Sequence, residues 1–180
     1  MKTRILLLLL AVLVSLPVAA YEPADNAGLS KKEQRRTLRG YNCFVDMGPS
    51  FDIDGKTSDW FNSDFLSVST THGYQFNDFF FLGGGIAFGV CPEFDMFQMP
   101  IFAECRVNFL DRRVTPYFLC RIGSSFVDPH NVSAYEAFLL GLRISLTEKT
   151  ALFFSAGIEV NLETDDCDAG GYSFRIGYEF

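Results

Sequence analysis

The stretch "GGYSFRIGYEF", residues 170–180, alternates without a break. Tyr172, Phe174, Ile176, Tyr178 and Phe180 fall on one parity; Ser173, Arg175, Gly177 and Glu179 fall on the other. Successive side chains of a strand point to opposite faces, so this is a two-faced strand carried to the last residue given. Chain ends are usually polar and frayed. A terminal strand of this kind needs a partner.

Working back from it, the same alternation recurs. Eight segments show it, at about 40–50, 63–75, 79–90, 97–109, 114–126, 133–146, 150–162 and 170–180. Each is about the length of a tilted strand that crosses a bilayer, roughly 9–11 residues with some overhang. Three connections read as tight turns: 76–78, 110–113 and 147–149. Four read as longer loops: 51–62, 91–96, 127–132 and 163–169. An up-and-down meander with its first and last strands ending on one side produces this pattern. Pairing strand eight with strand one removes the two open edges. The expected fold is therefore all-β, an eight-stranded antiparallel up-and-down barrel over residues 40–180.

Two segments precede it. Residues 1–20 run from a basic start (Lys2, Arg4) through an apolar run at Ile5–Val14 to small residues at Val18 and Ala20. That order predicts a cleaved signal peptide and export. Residues 21–39 are polar and lack alternation, which predicts a periplasmic N-terminal arm. Removal of residues 1–20 would move the formal net charge from −7 to −9. So acidic a chain lacks the basic face that nucleic acid requires.

Alternation does not say which face meets the surroundings. A soluble lipocalin-like barrel with an apolar ligand in its interior is the alternative to a membrane barrel. Lysine separates them. Lys31, Lys32, Lys56 and Lys149 lie in the arm, a loop and a turn, and no strand contains one. A soluble exterior is normally rich in lysine and glutamate. The polar parity instead carries Asp46, Glu104, Arg106, Arg121, Arg143, Glu159 and Arg175, spaced by Gly and Ser. Glu179 ends the same series. Ions that can pair among small neighbours suit a narrow lumen, plugged more than open. The tight turn at 110–113 places Glu104 opposite Arg121. Aromatics gather at both ends of the strands: Tyr41, Tyr74, Phe76, Phe109, Tyr117 and Tyr178 near the tight turns, and Trp60, Phe88, Phe97, Phe126, Tyr135 and Tyr172 near the longer loops. Two belts flanking an aliphatic band suit two membrane interfaces.

The terminal strand, with "THGYQF" (71–76), "FFLGGG" (80–85) and "PIFAECRVNFL" (100–110), resembles the uncharacterised Gram-negative outer membrane protein β-barrel domain families. It also resembles the eight-stranded OmpA and OmpX type. The resemblance implies a porin-like cell-envelope protein in the outer membrane, in contact with outer-membrane lipid and lipopolysaccharide. It also implies that Phe174, Ile176, Tyr178 and Phe180 form a C-terminal signal read by the assembly machinery. Its motifs are architectural and imply no catalysis.

The chain offers little chemistry of its own. A lipid-modifying barrel enzyme would need a Ser–His–acid set at the wall. His72 has Ser67 and Ser69 on the opposite parity and no acid placed to orient it; His130 lies in a loop. No enzyme activity and no cofactor are expected. The stretch "DIDGKTSD" (52–59), with Glu93, Asp95 and "ETDDCD" (163–168), makes the longer-loop end acidic. The flanking strands and the missing twelfth-position Glu rule out an EF-hand. A solvated face is the plain reading, and weak sharing of divalent cations with lipopolysaccharide the sharper one. Of five cysteines at least one is unpaired. Cys43, Cys105 and Cys120 are expected on apolar strand faces as thiols; Cys91 and Cys167 are placed in loops that would let them pair if they meet. No spacing fits a metal site. The role expected is structural, or surface contact and adhesion through acidic extracellular loops, with a narrow pore as a lesser alternative.

Overall fold

The computed structural model describes residues 39–52, 65–91, 96–127, 131–147, 150–162 and 168–180. They form eight strands: β1 (Gly40–Asp52), β2 (Phe65–Gln75), β3 (Phe80–Cys91), β4 (Met96–Asn108), β5 (Val114–Val127), β6 (Asn131–Ser145), β7 (Ala151–Leu162) and β8 (Asp168–Glu179). Each pairs antiparallel with its sequence neighbours, and β1 pairs with β8 to close the barrel. At the seam Phe44 lies opposite Glu179 and the Phe180 amide donates to the Cys43 carbonyl at 3.0 Å. Every strand thus finds a partner on both sides, and no edge is left to template association.

The wall is tall enough for a membrane. The shortest strand has 11 residues; at about 3.3 Å per residue and a tilt of about 40° it climbs about 28 Å, close to the hydrocarbon thickness. Its polarity is inverted. Leu140 is 63% exposed, Ile122 55% and Phe109 52%, while Arg121 and Glu104 are 1% and 0% exposed. The exterior is an apolar surface of Leu, Ile, Val, Phe and Tyr on all eight strands. The soluble lipocalin-like alternative fails here, because it requires the apolar face inside.

Strand bounds depart from the expected loop pattern. The strands leave residues 53–64, 92–95, 128–130 and 163–167 between them at one end, and 76–79, 109–113 and 146–150 at the other. Only 53–64 is longer than the turns opposite. Backbone pairing continues past the membrane into segments whose polar sequence reads as loop, as in Val127↔Asn131 and Leu162↔Asp168. Cys91 accordingly is the last residue of β3, buried, and not in a loop. Trp60, His130, Cys167, the signal peptide, the arm and most of the acidic loop residues lie outside the described residues.

Candidate functional site: the ionic lumen and the outer wall

The lumen is built by strand parity. On β4 the inward positions are Gln98, Pro100, Phe102, Glu104, Arg106 and Asn108; on β5 they are Thr115, Tyr117, Leu119, Arg121, Gly123 and Ser125. The register sets Glu104 directly opposite Arg121, and Arg121 Nε donates to Glu104 Oε2 at 2.8 Å. From that pair a chain of ions crosses the barrel. Arg106 NH2 donates to Glu104 Oε1 at 2.8 Å. Arg121 NH2 donates to Asp46 Oδ2 on β1 at 2.6 Å. Arg175 NH1 lies 3.7 Å from Asp46 Oδ1, and Arg175 NH2 donates to Glu159 Oε2 at 2.7 Å. Hydroxyls from Thr71 and Ser50 donate to Glu104 and Glu159 at 3.0 Å each. Three guanidinium groups thus meet three carboxylates, and the cluster is neutral. Isolated, each buried charge would cost several kcal/mol; here each has an opposite partner, and Glu104, Glu159 and Arg175 gain hydroxyl hydrogen bonds as well, while Asp46 Oδ1, Arg106 NH1 and Arg121 NH1 make no hydrogen bond among the described residues.

A second ion pair lies toward the three-turn end. Arg143 on β6 donates to both carboxylate oxygens of Glu179 on β8, through NH2 at 2.9 Å and through Nε, and Asn42 Nδ2 donates to Glu179 at 2.8 Å. Asp46, Glu104, Arg106, Arg121, Arg143, Glu159 and Arg175 therefore all face the lumen, and Glu179 joins them. Phe174 and Ile176 point outward, half exposed, and Tyr178 lies on the same outer parity with its ring 4.8 Å from that of Phe180.

Sequence reading missed an aromatic lining of the same lumen. Phe44, Phe81, Phe102, Tyr117, Tyr135 and Phe153 are buried inside the barrel. Tyr117 and Tyr135 are 0% exposed, so neither belongs to the outer belts where strand-end position alone put them. Parity held the missing signal: Tyr117 shares its face with Arg121, and Phe44 with Asp46. The Arg106 guanidinium lies 3.8 Å over Phe44, 4.6 Å over Phe153 and 5.1 Å over Tyr117. Arg121 lies 4.5 Å over Phe102. The rings are admitted by glycines on neighbouring strands. A Cβ on Gly85 would meet the Phe102 ring at 2.6 Å, and one on Gly177 would overlap the Phe153 ring.

No catalytic arrangement and no metal-binding group appears among the described residues. Ser67 and Ser69 face inward, away from His72. On the outer wall His72 instead meets Tyr41 and Thr70: the Tyr41 hydroxyl is 2.5 Å from Nδ1 and Thr70 Oγ1 is 2.9 Å from Nε2. Cys105 and Cys120 also face outward, as register partners, both free.

A closed eight-stranded wall, apolar without and charged within, is a transmembrane β-barrel of the outer-membrane type, and the cell outer membrane is its location. Solved structures of that class are similar to it. Neisserial surface protein A (NspA) is 18% identical with a TM-score of 0.55, over 78% of this chain and 95% of that one. The N-terminal β-barrel domain of Pseudomonas aeruginosa OprF is 11% identical with a TM-score of 0.49, over 79% and 99%. The Yersinia pestis attachment invasion locus protein Ail is 17% identical with a TM-score of 0.44, over 81% and 99%. At 18% identity the likeness to NspA is one of fold. No family model and no curated protein matches the chain.

Proposed function

We propose that this protein is an exported, non-enzymatic outer-membrane barrel whose role is structural or surface contact, not conduction. One observation carries the reading. The lumen is spanned by Arg106, Glu104, Arg121, Asp46, Arg175 and Glu159 in contact from wall to wall, with rings packed against them. An eight-stranded barrel has room for side chains and little more. Surface contact would fall chiefly to 53–64, the longest connection, whose sequence includes Asp54, Asp59 and Asp64. Adhesion and cation sharing with lipopolysaccharide are supported by that acidity. A signal peptide over 1–20, a periplasmic arm over 21–39 and delivery by the assembly machinery through Phe174, Ile176, Tyr178 and Phe180 complete the reading.

The test is expression of the full chain in a Gram-negative host, followed by fractionation and detergent gels with and without boiling. An outer-membrane band whose mobility changes on heating, with an N-terminus after Ala20, is the expected result. Purified barrels in planar bilayers are expected to give no conductance steps. A soluble periplasmic product would reject the membrane reading, and steady conductance would reject the plug.

A further inference from the structure

The outer wall carries a polar cluster where lipid should lie. Tyr41, His72 and Thr70 form one hydrogen-bonded row on the outward faces of β1 and β2. Tyr41 is the register partner of Tyr74, whose ring lies 5.1 Å from that of Phe76. Those rings form the aromatic band of the three-turn end, the level of the bilayer headgroups. His72 sits one pleat repeat deeper and Thr70 two. A polar group at this depth of an apolar wall is costly unless it is hydrogen-bonded; His72 is bonded on both ring nitrogens, which leaves the exposed Tyr41 hydroxyl as the end of the row with bonding capacity to spare.

The wall beside His72 is bare. Its register partner on β3 is Gly84, and the partner of Gly84 on β4 is Ala103; both are exposed. Leu82, Ile86 and Ile101 stand exposed around them. Leu82 and Ile86 are four residues apart on one strand, about 13 Å along the backbone, which leaves an acyl chain's width between their side chains. Gly84 has no packing reason to be glycine. A Cβ there would meet nothing closer than 3.5 Å, whereas one on Gly83 or Gly85 would strike Phe81 or Phe102 at 2.6 Å.

We propose that this trough binds one glycerophospholipid of the leaflet at the three-turn end. An acyl chain lies over Gly84 and Ala103, and a phosphate or ester oxygen accepts from the Tyr41 hydroxyl. The hydrogen-bond direction permits it. With the Thr70 hydroxyl donating to His72 Nε2, the Nδ1–H donates to the Tyr41 oxygen, and the Tyr41 proton is free to point at the lipid. Tyr41 is exposed while Thr70 is buried, so the phenol is the end of the row that a lipid can reach. The inference rests on the barrel lying in a bilayer.

The test uses the full mature chain, refolded into vesicles of phosphatidylethanolamine and phosphatidylglycerol and released into mild detergent for native mass spectrometry. One retained phospholipid is expected. Tyr41→Phe removes the donor, and Gly84→Leu fills the trough; each is expected to weaken retention about tenfold. A furrow of about 470 Å³ on the other side of the barrel, lined by Met47, Leu140, Phe154, Ala156 and Phe174, has no comparable polar side chain at its outer surface. Ala156→Leu there is expected to leave retention unchanged. The gel shift on heating shows which variants are folded. A folded barrel that retains no lipid, or retains it equally in Tyr41→Phe and Gly84→Leu, overturns the site alone. A chain that never inserts into vesicles overturns the membrane reading as well.

Discussion

The Arg106 guanidinium lies 3.8 Å above the ring of Phe44, although the two residues stand on strands that do not pair. The contact reaches across the lumen. Its ring face is electron-rich and dry, so it stabilises a cation that water cannot reach, by about 2 kcal/mol where desolvation is complete. Phe44 also meets Phe81 and Phe153 edge-on, at 4.8 and 5.9 Å between centroids. One ring thus joins the ionic chain to the aromatic lining.

Phe44→Ala removes both functions. It opens a cavity and strips one face from Arg106. The expected loss is about 3–5 kcal/mol, read as a lower urea midpoint for unfolding from vesicles. Phe44→Leu, which fills most of the space, should recover a large part of that loss.

Arg121→Leu leaves Glu104 and Asp46 without their shared cation. The expected cost is roughly 3–5 kcal/mol in the same assay. Adding Asp46→Asn should restore part of it, because Glu104 still pairs with Arg106 and Arg175 with Glu159. An unchanged midpoint for Arg121→Leu would mean that water reaches the lumen and screens the pair.

Two glycines should behave oppositely. Gly177→Ala drives a methyl into the Phe153 ring and against the Val45 carbonyl, which is 2.5 Å from the new carbon. A loss of about 1–3 kcal/mol is expected. Gly84→Ala meets only the Phe102 carbonyl, at an ordinary 3.5 Å, and should stay within about 0.5 kcal/mol of the parent. Equal midpoints would show that the inward rings are not seated as described.

Cys105 and Cys120 should remain thiols. The Phe109 amide donates to the Pro116 carbonyl at 2.9 Å, and those two positions share the register of the cysteine pair. Positions two and four residues back along β4 repeat that hydrogen-bonded geometry. Cβ atoms in such pairs stand about 5.5 Å apart, beyond the roughly 3.8 Å of a disulfide. Protein purified without reductant and alkylated after unfolding should carry label on both residues. A bridged 105–120 peptide would contradict the register.

Phe180→Ala separates assembly from stability. The Phe180 amide, which holds the seam to Cys43, survives the substitution. The midpoint in vesicles should therefore change little. Accumulation in the outer membrane of living cells should fall several-fold if the terminal ring is read during assembly. Parallel loss of both would assign the residue to packing alone.

Much of the fold was legible because it rests on local period. Side chains on a strand repeat every two residues, so alternation located all eight strands to within two residues at each end. It also separated the polar parity from the apolar one. The Glu104–Arg121 contact was legible too, because a short turn over 109–113 fixes the register of the hairpin around it. Tight turns transmit local information as far as the next strand and no farther.

Contacts between strands that are not sequence neighbours belong to the closed structure. Arg121 meets Asp46 from β5 to β1, Arg143 meets Glu179 from β6 to β8, and Arg106 meets Phe44 from β4 to β1. Which level of one strand faces which level of another depends on the stagger accumulated around the whole wall. The Tyr117 ring packs over Gly141, where a Cβ would meet it at 2.6 Å, and only strand pairing brings that glycine beside it. The row of Tyr41, His72 and Thr70 likewise spans two strands. The sequence by itself determined a two-faced wall of eight strands and its polarity, since both follow from neighbours along the chain. Only the tertiary structure decided which ions and rings meet across the lumen, because that follows from how the sheet closes on itself.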